Sequence, residues 1–525
     1  MPKDSNHIDF AAGAKWVSFH QNVSFTPERW YDVINRRLDA DQTKPTDNIE
    51  RRKAAILRIQ KILKEAEFNN KKVRAYGGTW SLSEIQKTTD YLINTNPLNA
   101  IDVGLEAKYL DNASIDGKQL VFTQCGASVK KVNEELKQSN LALPTTGASD
   151  GQSIVGAFST GTHGSAFTFG SMCDYVIGLH IITTETVHYW VEGNTKIVSD
   201  LFIQTMIPGA TRINNDNVLN SAIVSFGSFG IIHAAMLQAE PLYELECYQC
   251  YQDWNDVKAC IDGPNLAPLS NFNIPNTGLY NFSTFINPYK LDSAVVTAKK
   301  KVPFTGHHTQ NNSPQFGPSK DVLDLIGKIS DIAPKKIPKI MKVLDDLIKK
   351  EYPEYSAQTD IPSNIFNGGV AADRGKGLSV ELGVDASQVS TAMISIQLAA
   401  NIMPFPGVIA LRYVKKTKAT LGFAKYPMTC TIELPGAMSK ETERFYAQVY
   451  MLLDAAGVEY TFHWGQCNNL TAAKVRAKYG NTAVDNWLKA RYTLLPLHKQ
   501  QLMFSNDFMK TIGLDVLSST EPYIA

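Results

Sequence analysis

The sequence predicts an α+β chain of two domains, and three observations carry that expectation. The first is size: 525 residues and 58.1 kDa, with 44% hydrophobic and 20% charged residues, describe a globular chain long enough for two cores. The second is the grammar of residues 73 to 240, where short β-rich runs are bounded by Gly, Asn and Asp: VRAYGG, YLINT, QLVFTQCG, VIGLHIITT, VHYWVEG and AIVSFGSFGIIHAAMLQ. The third is the change after residue 241, where strands and helices alternate in longer units to about 455.

In chain order, residues 1–55 read as a helical lead-in. Trp30, Val33 and Ile34, and then Ala55, Ile56, Ile59, Ile62 and Leu63, repeat at helical spacing among charges. Residues 56–240 form the first domain, with one helix, SVKKVNEELKQSN, among its strands. Residues 241–455 form the second, with an insertion near 300–360 that contains KIPKIMKVLDDLIKK. That basic amphipathic helix suits a solvated lid or an oligomer contact better than a membrane surface. Residues 456–525 close the chain as a segment that returns to the interface of the two domains.

Composition excludes several classes of function. Lys plus Arg (52) nearly cancels Asp plus Glu (51), and no arm of basic residues interleaves with aromatics, so nucleic acid is not an expected partner. The start, MPKDSNHIDFAAGAKW, lacks the apolar core of a signal peptide, and no later stretch reaches membrane-spanning length without interruption. A soluble, cytoplasmic protein is expected. Seven scattered cysteines do not form a disulfide framework, and Cys247 and Cys250, though at redox or zinc spacing, sit in the alternating run LYELECYQCYQ and read as strand residues. No metal site is expected.

Three glycine-punctuated strand ends point to a ligand. In VRAYGGTWSL, Gly77 and Gly78 follow a strand and let the backbone approach a ligand closely, with successive N–H groups suited to phosphate oxygens. The spacing is neither a Walker loop nor GxGxxG, so a plain hairpin turn stands beside that reading. A second stretch, LALPTTGASDGQSIVGAFSTGTHGSAFTFG, sets Gly147, Gly151, Gly156, Gly161, Gly164 and Gly170 among hydroxyls, with His163 at its centre. A third, SFGSFGIIHAAML, adds Gly227 and Gly230 at a strand entrance. Three such ends in one domain suit a long nucleotide cofactor.

At these residues the chain resembles the vanillyl-alcohol-oxidase type of FAD-binding proteins, also called the PCMH type, and in particular the sugar-oxidase branch of aldonolactone and alditol oxidases. VRAYGGTWSLSEI resembles the diphosphate loop and FSTGTHGSA the branch's "STGTHGSG". SFGSFGII resembles the later flavin-contacting segment, FHWGQ the "HWGK" motif, and LMFSNDFMKTIGL the carboxy-terminal "FxNxYL". Five motifs occur in the family's order. The resemblance implies an FAD domain of two small α/β lobes and a substrate domain whose large antiparallel sheet, flanked by helices, covers the isoalloxazine. It assigns Ala75, Tyr76, Gly77, Gly78, Thr79, Trp80 and Ser81 to the diphosphate loop. Ser153, Gly156, Thr160, Gly161, Thr162 and His163, with Gly147 before them, fall to the second FAD stretch, and Ile232, with Gly230 beside it, to the third.

The departures from the family pattern are informative. Trp80 stands where many relatives carry a histidine bonded covalently to the flavin, and TTGASDGQS holds no cysteine for a second link, while Cys125 lies too early in the pattern. Non-covalent FAD is therefore expected, with the Trp80 indole near the flavin's dimethylbenzene edge. On the substrate side the family's "ExR" pair becomes Ala410 and Arg412, and the lysine of "HWGK" becomes Gln466 after His463. Glu433, in CTIELPG, falls near a position facing the flavin and is a substitute carboxylate beside Arg412; Glu381 is a further candidate. For Arg412, Glu433 and Glu381 a structural ion pair, and for His463 a core histidine, are the alternative readings.

The expected activity is oxidation of a CH–OH group of a small molecule, with hydride passing to flavin N5, Arg412 stabilising the charge that develops and a neighbouring base taking the hydroxyl proton. The catalytic candidates are Arg412, His463, Gln466 and Glu433. Reoxidation falls to O2 or another acceptor. The missing polyol grips leave open an oxidative tailoring or cyclisation of a less polar metabolite, and a flavin-binding protein without turnover is the rival outside enzymes.

Overall fold

The computed structural model describes residues 10–38, 42–111, 114–306, 320–351, 353–366 and 376–515. Helix Asn48–Phe68 shows how the first lobe is built. Asp47 caps it by accepting from Glu50 N at 2.8 Å, and Ala55, Ile59, Ile62, Leu63 and Ala66 line one fully buried stripe. Truncating Ile59 to Ala there would cost about 2–5 kcal/mol. A four-stranded sheet lies beside it, in the order Phe10–Ala11, Arg29–Asp32, Tyr91–Asn94, Val73–Tyr76. The first of its three pairings is antiparallel and the other two are parallel. The second lobe is a six-stranded sheet in the order Thr211–Asn214, His188–Glu192, Val176–Ile182, Ile231–Gln238, Leu120–Gln124, Ile101–Val103.

The remaining architecture is one eight-stranded sheet, antiparallel throughout. Its order is Tyr355–Asp360, Tyr243–Gln252, Lys290–Pro303, Leu279–Asn287, Ile409–Lys415, Met428–Glu433, Glu381–Asp385, Tyr460–Phe462. Helices Val389–Ile402 and Lys440–Ala455 pack together against it, with Phe405 and Phe445 stacked at 4.1 Å. Mixed lobes followed by a large antiparallel sheet are the α+β arrangement that the strand grammar predicts.

Two expectations need correction or placement. Among the described residues the lead-in holds no helix before Asn48: Arg29–Asp32 is a strand, paired in register Trp30 to Leu92 with Tyr91–Asn94. Four residues with apolar Trp30 and Tyr31 fit either period, and pairing with a neighbouring strand decides between them. The basic helix spans Ile337–Glu351, buries Ile337 and Met341, and packs against the sheet, where Asn287 Nδ2 donates to Met341 O at 2.8 Å and Ser293 Oγ to Asp345 at 2.6 Å. Cys247 and Cys250 are buried on strand Tyr243–Gln252, and their odd spacing there sends their side chains to opposite faces.

Candidate active site

The three glycine loops meet in one cleft of about 1040 Å³ including its open mouth. Its wall takes Ala75 to Ser81 from the first loop; Ser153, Gly156, Thr160 and Thr162 from the second; Gly230 and Ile232 from the third; and His463, Gly465 and Gln466 from the FHWGQ turn. Gly147, Gly161, His163, Arg412 and Glu433 do not line it. The FHWGQ turn is tied to the first loop by Leu82 N to Gly465 O at 2.7 Å and Ser83 Oγ to Trp464 O at 2.8 Å.

Close approach explains the glycines. A Cβ on Gly77 would fall 1.9 Å from Ser153 Oγ, and one on Gly78 would fall 2.8 Å from Gly151 O and 2.9 Å from Gln152 Cα. The first and second loops therefore touch backbone to backbone, which only glycine permits. Thr79 adopts φ +63° and Phe226 φ +54°, a region that branched and bulky residues avoid, so both turns are held by their surroundings.

One such restraint is Arg74. Buried beneath the first loop, its guanidinium donates to Ile85 O (2.6 Å), Gly227 O (3.2 Å), Phe504 O (3.0 Å) and Phe226 O. It thereby joins the first loop, the third loop and the carboxy-terminal segment. Burial lowers its pKa to about 10, still a cation at neutral pH. Sequence reasoning missed it, because an arginine inside a β-run gives no sign that it is buried.

Trp80 stacks on Phe19 at 4.0 Å and 12°, with His20 edge-on at 5.7 Å. Its other close neighbour is Gly151, where a Cβ would meet the indole at 2.9 Å. Cys125 also lines the cleft, its thiol pushed up by burial to about 12, which leaves it protonated and unreactive at neutral pH.

A second group of polar residues lies on the eight-stranded sheet. Strand alternation puts Ala410 and Arg412 on one face, and the register sets Glu433 opposite Ala410 and Glu381 opposite Glu433. Arg412 Nη1 donates to Glu433 Oε2 at 2.7 Å and lies 3.5 Å from Glu381 Oε1. Burial opposes the Arg412 charge, but Glu433 and Glu381 outweigh it and raise its pKa. Glu381 Oε1 also meets His163 Nε2 at 2.7 Å. Burial would raise the Glu381 pKa, yet His163, His463 and Arg412 hold it at about 2.

His463 is the link between the cleft and this face. Gly465 N donates to its Nδ1 at 3.1 Å, so the neutral ring carries its proton on Nε2, and burial lowers its pKa to about 4. Such a ring is a hydrogen-bond donor at neutral pH and a poor base.

The wall itself offers partners to a long polar cofactor. Gln86 Nε2, Gln152 Oε1, Ser159 Oγ and Gln466 Oε1 all line the cleft, are buried, and make no hydrogen bond among the described residues. Buried polar atoms left without partners are costly, and four of them along one groove are accounted for by a polar ligand lying in it. Together with the Cβ-free Gly77–Gly78 turn, these residues fit FAD. Nothing in its local sequence marks Gln86; Ser159 lies inside FSTGTHGSA, where nothing separates its hydroxyl from those of its neighbours.

Comparison with known proteins agrees. Residues 55–189 match the family described as FAD binding domain. A putative D-arabinono-1,4-lactone oxidase of Neurospora crassa is 27% identical over 191 residues, which cover 36% of this chain and 29% of that protein. The D-arabinono-1,4-lactone oxidase of Candida albicans is 26% identical over 197 residues, 36% of this chain and 32% of that one. These alignments span about a third of the relatives' length. An L-gulono-1,4-lactone dehydrogenase of Mycobacterium tuberculosis aligns further, at 22% identity over 467 residues, 86% of this chain and 92% of that one. Among solved structures, a cholesterol oxidase from B. sterolicum superposes with a TM-score of 0.70 at 13% identity, covering 98% of both chains. The resemblance drawn from the five sequence motifs is borne out. Among the described residues no helix is long and apolar enough to cross a membrane.

Proposed function

We propose that this chain, which carries an FAD-binding domain and is related to aldonolactone oxidases and dehydrogenases, is an FAD-dependent oxidoreductase that oxidises a CH–OH group of a small molecule. One observation carries the reading: all three glycine loops and the FHWGQ turn share a single cleft. The Arg412–Glu433–Glu381 face adjoins it through His463, which neighbours Glu381. FAD supplies, when bound, a two-electron acceptor for a hydride from carbon.

The chain's own residues bind, orient and set charge. Ala75 to Ser81 form the phosphate side, with Gly77 and Gly78 exposing backbone N–H groups. Ser153, Gly156, Thr160 and Thr162 form the second wall, and Gly230 and Ile232 the third. Gln86 Nε2, Gln152 Oε1 and Ser159 Oγ supply hydrogen bonds along the groove. Arg412 places a cation where negative charge develops, and His463 offers Nε2–H to an oxygen. Glu433 and Glu381 are the acceptors available to a substrate hydroxyl. Trp80 supports non-covalent attachment, since an indole in the place of the linking histidine forms no bond to the flavin. A cytoplasmic location and reoxidation by O2 or another acceptor belong to the same reading.

A second reading, oxidative tailoring of a less polar metabolite, is favoured by one feature. Ala410 and Gln466 replace the glutamate and lysine that grip polyols in similar proteins, and the Phe285 ring lies 5.8 Å from the Arg412 guanidinium. Anaerobic mixing of the flavin-loaded protein with aldonolactones, alditols and sterols decides between these. Bleaching of the flavin by a lactone or polyol supports the first, and by a sterol alone the second. No bleaching by any alcohol contradicts both.

A further inference from the structure

His163 uses both ring nitrogens, and both meet acceptors. Nδ1 lies 2.6 Å from Gly164 O, a carbonyl that can only accept. Nε2 lies 2.7 Å from Glu381 Oε1. A neutral imidazole has one N–H and cannot donate twice. Either His163 carries two protons and Glu381 none, or Glu381 is a neutral acid donating to Nε2.

The surroundings decide. Arg412 Nη1 lies 3.5 Å from the same Glu381 oxygen and 2.7 Å from Glu433 Oε2. With His163 as imidazolium, the cluster holds two cations, His163 and Arg412, and two anions, Glu381 and Glu433, and is neutral. With His163 neutral and Glu381 protonated, neutrality also holds, but the acid proton sits beside a guanidinium that favours the ionised carboxylate. The carboxylate, charge-bonded on both sides, is the stronger arrangement. His163 and Glu381 have side-chain exposures of 5% and 4%, so water does not mediate this choice.

We propose that His163 is a positioning residue held as an imidazolium, which locks Glu381 as an ionised acceptor and leaves its Oε2 for a substrate hydroxyl. This rests on the function proposed above. Glu381 Oε2 accepts no hydrogen bond from any described residue. The lock also spans the two halves of the molecule, since His163 sits at the centre of the second glycine stretch and Glu381 begins a strand of the large sheet. The neighbouring His463 does not take over the role, because its Nδ1 accepts from Gly465 N and so carries no proton, which leaves that ring neutral.

The test uses the flavin-loaded full chain. In protein labelled with 15N-histidine, with His163 assigned by loss of its signals in His163→Gln, both His163 nitrogens should resonate as imidazolium at pH 7. In Glu381→Gln, one His163 nitrogen should become pyridine-type. A pyridine-type nitrogen at His163 in the unaltered protein at pH 7 overturns the proposal whether or not the variants fold. With whichever donor bleaches the flavin, His163→Gln should move the acidic limb of the kcat/KM profile upward by about one pH unit or more, because Glu381 loses its cation. An unmoved limb removes Glu381 from substrate binding. If no donor bleaches the flavin, the proposed function fails and the nitrogen spectrum alone judges the imidazolium.

Discussion

Arg412 and Glu433 are joined at 2.7 Å across neighbouring strands, and the register places Glu433 opposite Ala410. The carboxylate that Ala410 lacks is thus supplied from the adjacent strand, on the same face of the sheet. If this pair sets the charge at the reacting centre, Arg412→Met should slow anaerobic flavin reduction by about 2–4 kcal/mol of barrier, the scale of one lost preorganised donor. FAD should stay bound, because the cleft wall lies on other loops. An unchanged reduction rate in stopped flow would remove Arg412 from the catalytic list.

Gly78 is wedged between loops. A Cβ there meets backbone at 2.8 and 2.9 Å, so Gly78→Val must part the first two loops. The variant should purify with less FAD and a lower Tm. Full flavin content at unchanged Tm would make Gly78 an ordinary turn residue.

Arg74 holds four carbonyls from three segments. Arg74→Met fills similar volume but leaves these acceptors unpaired, at about 1–3 kcal/mol for each one that water cannot reach. Tm and FAD affinity should fall together, since the Phe226–Gly227 turn at the cleft loses its tie. Unaltered FAD affinity in a folded variant would confine Arg74 to a general packing role.

Acid should destabilise the protein well before carboxylates alone would demand it. His233 Nε2 meets Gln124 Nε2 at 3.1 Å, His233 Nδ1 meets His180 Nδ1 at 2.9 Å, and His180 Nε2 meets His188 Nδ1 at 2.8 Å. The Gln124 amide nitrogen can only donate, so it sets every tautomer along the chain, and each contact has room for one proton. Burial lowers His233 to about 3, His180 well below its ordinary 6.5, and His188 below it too. The folded state thus binds fewer protons than the unfolded one below pH 6.5, and stability is lost as pH falls from there. Each imidazole kept neutral costs about 1.4 kcal/mol per pH unit below its free value. Glu381, at about 2 against an ordinary 4.5, adds to the loss below pH 4.5. Tm should fall steeply below pH 6; a level Tm from pH 7 down to pH 4 contradicts this.

The sequence made the cofactor side legible because its constraint is local. Gly77, Gly78, Gly156 and Gly230 lie in short glycine-punctuated runs, and all four line the cleft. The polar face around Arg412 was less legible. That Glu433 pairs with Arg412 depends on strand register, and the contact of His163 with Glu381 joins residues 218 positions apart. Arg74 and Gln86 act through burial, which local pattern does not report. The strand Arg29–Asp32 has a helical pattern in sequence as well, because four residues cannot separate the two periods.

Attachment of the cofactor is the most direct measurement. The purified yellow protein is precipitated with acid, and the flavin is assayed in pellet and supernatant. With Trp80 in the linking position and the Cys125 thiol protonated, FAD should appear in the supernatant at about one per chain. Flavin retained on the denatured polypeptide, or no flavin in either fraction after reconstitution with FAD, would contradict a cleft that holds FAD without a covalent bond.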